Sequence, residues 1–150
     1  MKRILTISVL LLVLGGCAVA PYADFSSTPV YENSFKIDAV ANHTAGRGYA
    51  DACFEIGAAR RTIQNGHAYF IILDQSLTNT PTTDTITSGG FEAGGVFIPA
   101  TSTSSTANFW TKTGTIKTFG TKPDSEYVIP YNALLVLKKW SAETLNMCGW

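Results

Sequence analysis

The stretch from Tyr49 to Asp74 most constrains what this chain can fold into. Over Tyr49–Asn65, Ala52, Ile56, Ala59 and Ile63 recur at i, i+4, i+7 and i+11, drawing one apolar stripe down a helix. Asp51 and Glu55 fall in the early turns and Arg60 and Arg61 in the later ones, each sign where the helix dipole favours it. Gly66 follows as the residue able to take the left-handed conformation just past the last turn. Ala68–Leu73 (AYFIIL) then reads as a strand apolar on both faces, ending at Asp74. A helix with an apolar stripe that turns at once into a buried strand suits a helix lying across a sheet.

The flanking segments extend that unit. Ser34–Ala41 alternates, with Phe35, Ile37 and Ala39 on one side and Lys36 and Asp38 on the other, the period of a strand with one covered face. Residues 42–48 form the turn into the helix. Phe109–Phe119 is Thr-rich and β-branched and suits a strand, with Gly114 as the place for a bulge. Tyr131–Trp140 fits either a buried strand through Leu134–Leu137 or a short helix capped by Asn132 and ending on Lys138 and Lys139; the helix is preferred. The expected class is α+β: a small antiparallel or mixed sheet, one main helix over about 49–65 packed on it, and a second short helix over about 131–140. Residues 76–108 are rich in Ser and Thr, with Gly89-Gly90 and Gly94-Gly95 around Phe91 and Val96-Phe97-Ile98. They are expected to form a mobile loop, with a short hairpin around the glycines.

At the N-terminus, Lys2 and Arg3 precede an almost wholly apolar run, Ile4–Leu14, far shorter than the ~20 residues that span a bilayer core. A basic start, a short apolar stretch and small residues at its end describe a secretory signal. Leu14-Gly15-Gly16-Cys17 resembles the lipobox of bacterial lipoproteins: an aliphatic residue, two small ones that let extended backbone enter a peptidase, and a thiol to take the lipid. The resemblance implies that residues 1–16 are a signal peptide and that Cys17 carries the lipid. It also implies a domain facing the periplasm, and Ala18 favours the outer over the inner membrane. Residues 17–33 are then a lipidated N-terminus and tether, and residues 34–150 a single domain. Charge adds an exclusion: the chain holds 11 basic and 11 acidic residues, and losing Lys2 and Arg3 leaves it faintly acidic, with no electrostatic footprint for nucleic acid.

Chemistry-bearing residues are sparse. With Cys17 given to lipid, Cys53 and Cys148 remain as an even pair that an oxidising compartment would permit to bridge. The position of Cys53 beside the apolar stripe equally suits a buried free thiol. His43 and His67 flank the helix, His67 being expected as a solvated loop residue after the helix-ending glycine, and no spacing of His, Cys or carboxylates suits a metal. No motif calls for a cofactor or marks a nucleophile. Phe109, Trp110, Phe119, Tyr127, Tyr131, Trp140 and Trp150 gather late in the chain and are expected in the core and at sheet edges, with an exposed patch for a protein partner or glycan as the alternative.

Residues 58–74 carry a second resemblance. Ala58, Ala59, Thr62, Gly66, Tyr69, Phe70 and Asp74 match the helix–glycine–strand signature of an uncharacterised family of small bacterial lipoproteins. Ile116-Lys117, Lys122-Pro123 and Tyr131-Asn132-Ala133 echo the C-terminal half of that family. Arg60 stands where the family has Glu, and His67 where it usually has Tyr. The resemblance implies a periplasmic α+β lipoprotein and supplies no activity. The expected role is a structural or partner-binding component of the envelope, with a membrane contact through Cys17 and an envelope protein as partner. The alternative is a periplasmic enzyme, or a small-ligand or glycan-binding module, built around Asp74, His67 and the Gly-rich loop.

Overall fold

The computed structural model describes residues 20–88, 91–93, 96–98 and 101–149. Its elements run β1 (Ala23–Tyr31), β2 (Ser34–Asn42), α1 (Arg47–Gln64), β3 (Tyr69–Ser88), β4 (Phe91–Ala93) and β5 (Val96–Ile98). β6 (Thr101–Phe119), β7 (Tyr131–Asn132), α2 (Ala133–Lys139) and α3 (Ala142–Met147) complete the chain. Five strands form one antiparallel sheet in the order β1-β2-β6-β3-β7, and β4 pairs with β5 in a separate hairpin. The fold is α+β, with one main helix on the sheet and short helices after it.

α1 is covered on two opposite sides. A step of 100° per residue sets Phe54, Gly57 and Ala58 on one side and Ala52, Ile56 and Ala59 on the other, and all six are buried. The first side meets the sheet. Phe54 packs onto Gly114 of β6, where an added Cβ would stand 2.9 Å from the ring and 2.5 Å from the Asp74 carbonyl oxygen. Gly57 admits the ring of Phe25 from β1. Phe35, Ile37, Ala39 and Ala41 of β2, Ile116 of β6 and Phe70 of β3 complete that layer of core. The stripe read from the sequence is the opposite side, which α2 and α3 cover. Ile63 is the exception: it is exposed, and Thr62 is the buried residue of that turn, its hydroxyl donating to the Ala58 carbonyl at 2.7 Å.

The helix ends as expected. Gly66 has φ +75°, and the N–H groups of Gly66 and His67 donate to the carbonyls of Ile63 and Thr62. That pair of bonds is a Schellman motif. Asn132 caps α2 by accepting from the Leu135 N–H at 3.1 Å.

Two expectations for the connecting segments are overturned. The tether over 17–33 is replaced from Ala23 by β1, the sheet's edge strand, which explains why Pro29 is tolerated there: its missing N–H falls on an edge. The loop over 76–108 is instead mostly a ladder. β3 and β6 stay paired from Tyr69–Phe119 to Ser88–Thr101, well beyond the last β2 partner at Asn42–Phe109. Thr and Ser satisfy the backbone ladder as well as apolar residues do, and cross-strand hydroxyls meet, as Thr83 and Thr106 do at 3.2 Å. β4 and β5 form the short hairpin expected in this region; the four flanking glycines lie outside the described residues.

Candidate functional site

Cys53 and Cys148 are joined in a disulfide, with Cα atoms 5.2 Å apart, and both are fully buried. Of the two states left open for this pair, the structure has the bridged one. Neither sulfur is a nucleophile or a ligand in that state. Arg60 works beside the bridge: its guanidinium donates to the Gly149 carbonyl at 2.6 Å and lies over the Phe25 ring.

His67 belongs to a polar cluster that ties the β1–β2 turn to the end of α1. Its Nδ1 lies 2.7 Å from the Thr118 hydroxyl, which also receives the Asn65 side-chain amide at 3.1 Å. Thr118 in turn donates to the Asn33 carbonyl through both its N–H (2.8 Å) and its hydroxyl (3.2 Å). Asn33 is left-handed at φ 56°, a conformation Asn tolerates, and these bonds hold the turn. The histidine is thus a partly buried strut rather than a free loop residue.

Asp74 sits elsewhere. β3 carries a bulge between Ile72 and Asp74, with Leu73 as the additional residue. The Asp74 carboxylate accepts from the Thr115 N–H opposite it at 3.1 Å. Seven residues of chain, roughly 20 Å at about 3.3 Å each, separate it from His67. Cys53, His67 and Asp74 therefore do not converge. His43 is exposed beside Thr44, remote in the fold from the Thr118 cluster. Among the described residues no group of three His, Cys, Asp or Glu side chains could hold a metal ion.

Asp74 does line a groove of about 350 Å³, with Ile72, Leu73, Gln75, Tyr127, Val128, Ile129 and Tyr131. The groove follows from the sheet order. β7 pairs only with Tyr69 and Phe70, so from Ile71 onward the outer edge of β3 has no strand beside it among the described residues. Tyr131 anchors the near end by stacking on Phe70, ring centroids 5.2 Å apart. Leu73, Tyr127 and Ile129 are exposed there, Tyr127 at 95%. Trp110 and Trp140, by contrast, pack against the core, as expected for most of the late aromatics, while Trp150 lies outside the described residues. The sequence alone placed Asp74 correctly at the end of an apolar run but gave no sign of the groove, because Tyr127 and Ile129 come from an irregular segment.

The third feature is at the far end of the sheet. The Asn42 side chain accepts from the Tyr22 N–H at 3.0 Å and the Ala45 N–H at 2.9 Å, and donates to the Ala20 carbonyl at 2.9 Å. The Asn42 N–H donates to the Tyr22 carbonyl at 2.9 Å. The chain is thus clamped to the sheet from Ala20. Ala20 and Tyr22 line a hollow of about 600 Å³ with His43, Ser105, Thr106, Ala107 and Phe109, at the root of the β3–β6 ribbon.

The chain matches no protein-family model, no curated protein and no solved structure.

Proposed function

We propose that this chain is a lipid-anchored component of a bacterial cell envelope, held through Cys17 and facing the periplasm. In this reading its domain binds an extended segment of an envelope protein along the open edge of β3. Lys2-Arg3, the short apolar run and Leu14-Gly15-Gly16-Cys17 support the anchor, Ala18 favours the outer membrane, and residues 58–74 resemble the signature of small bacterial lipoproteins. Among the described residues no helix is long and apolar enough to cross a membrane, so in this reading the lipid supplies the attachment.

The observation that carries the binding reading is the unpaired edge of β3 from Ile71, flanked by exposed Leu73, Tyr127 and Ile129. A strand laid there would take main-chain bonds from β3 and set alternate side chains against those three. Asp74 in the groove, and exposed Glu126 next in sequence to its lining residue Tyr127, favour a segment that carries Lys or Arg. Neither a metal nor a cofactor enters this reading.

A photo-crosslinking residue at Ile129, in cells, tests it. The expected outcome is a discrete crosslinked species that weakens when Leu73→Asp is added and is absent when the crosslinker stands at Thr28, on the opposite edge strand. Equal crosslinking from Ile129 and Thr28 would overturn the edge reading. The anchor has a separate test: Cys17→Ser is expected to abolish lipid labelling and precursor cleavage, and a processed, membrane-bound C17S protein would refute it.

A further inference from the structure

The clamp at Ala20 and the direction of the ribbon together point to a second contact with the membrane. β1 enters the sheet at Ala23, which lies in one row with Ala41, Trp110 and Asn79. The ribbon leaves the sheet at this same end, running through eight further pairs from Pro81–Asn108 to Ser88–Thr101. The ribbon and residues 20–22 therefore lie at the same end of the sheet. Ala20 lies at the level of Ser105–Ala107, already partway along the ribbon.

The lengths decide what this does. From Ala20 to Cys17 the chain can reach at most about 11 Å, at 3.3–3.6 Å per residue. From Ala107 to Thr101 the ribbon continues for roughly 20 Å, at about 3.3 Å per residue. The ribbon outreaches the lipidated residue by about 10 Å before its end hairpin is counted. That hairpin, β4 with β5, follows Ser88 within three residues, and its sequence is Phe-Glu-Ala and Val-Phe-Ile. Across residues 81–108 the charged residues are Asp84 and Glu92, with no Lys or Arg.

We propose that the β4–β5 hairpin dips into the bilayer that holds the Cys17 lipid, giving the protein a second, apolar foothold in the same leaflet. The inference rests on the lipid-anchored reading above. The occupant follows from the geometry: a chain held this close to the glycerol of its own lipid brings the tip of a longer arm to the acyl boundary, the depth of some 5–10 Å at which interfacial elements bury an apolar face. Strands of three residues each cannot cross, since a spanning strand needs about 9–11 residues. An arm without cations draws no benefit from anionic headgroups, so the contact is apolar in origin.

The test uses the full mature protein with its lipid, carrying Phe97→Cys labelled with an environment-sensitive fluorophore; the native cysteines are bridged or acylated and do not react. It is reconstituted into phosphatidylethanolamine–phosphatidylglycerol vesicles, with and without bromine on the acyl chains. The expected result is a blue-shifted emission, loss of most of its intensity in brominated vesicles, and little change in zwitterionic vesicles. A label on Thr28→Cys, at the opposite end of the sheet, is expected to stay unquenched. A label at residue 97 that aqueous iodide reaches freely overturns the proposal. One shielded from iodide yet unquenched by brominated lipid places the hairpin on a second copy of the chain and also overturns it. Intact mass separates the two failures: an unlipidated Cys17 refutes the anchor and this inference with it, whereas a lipidated chain with an exposed label refutes this inference alone.

Discussion

Gly114 shows how much a single position can decide. It pairs with Gln75, next to the β3 bulge, and lies beneath Phe54, so helix and sheet approach there closely. Gly114→Ala puts a methyl 2.5 Å from the Asp74 carbonyl oxygen, which is backbone and cannot swing aside. The expected loss is about 1–3 kcal/mol, as for other overpacked cores, read from the urea midpoint with an unchanged slope. In the sequence this glycine suggests a bulge, and a bulge is indeed present, but in the facing strand. The signal was right about the neighbourhood and silent about the partner, because only tertiary packing brings Phe54 to that spot. His67 was misjudged for a related reason: its partner Thr118, and the Asn33 carbonyl that Thr118 holds, come from distant parts of the chain. The cysteines could only be counted; whether they bridge depended on where the last helix would lie.

At the scale of elements, legibility followed hydrophobic periodicity. α1, the start of β3, β2 and the second half of β6 were legible because each buries a face, and burial imposes a period. The ribbon imposes no period on its sequence, and β1 buries only Ala23 with Phe25 packed on the core, too few positions to reveal one; pairing there rests on backbone bonds and β-branched side chains. Low hydrophobicity, taken as a sign of a loose loop, is in this ribbon only a sign of exposure. Beyond Phe109 the two strands of the ribbon pair with each other and with no other strand of the described sheet. Thr103→Pro with Ser104→Pro should therefore break the ribbon alone, since of two neighbouring residues one directs its N–H into the ladder. Limited proteolysis is expected to cut within residues 81–108 of that variant, while the midpoint of unfolding of the body moves by no more than about 0.5 kcal/mol. A matching collapse of the whole domain would show that the ribbon supports the core.

The whole molecule is a three-layer stack in which the last residues hold the middle. The sheet covers one side of α1, and α2 and α3 cover the other, with Lys139 paired to Glu55 at 3.0 Å and Cys148 bridged to Cys53. Closing 95 residues between those sulfurs is worth on the order of 4 kcal/mol in the chain-entropy model. Cys148→Ser is expected to lose most of that, measured as denaturant stability with and without reductant; the native protein should converge on the variant when reduced. The position of this bridge also sets an order of events during synthesis. Its two halves stand mid-helix and near the final turn, so a growing chain can pair strands and wind the helix long before position 148 is delivered. Until then Cys53 is an open thiol at the centre of an unfinished fold. A thiol-reactive probe applied to chains arrested short of residue 148 should modify it, and one applied after release should not. Maturation of this domain would then be timed by the arrival of Cys148.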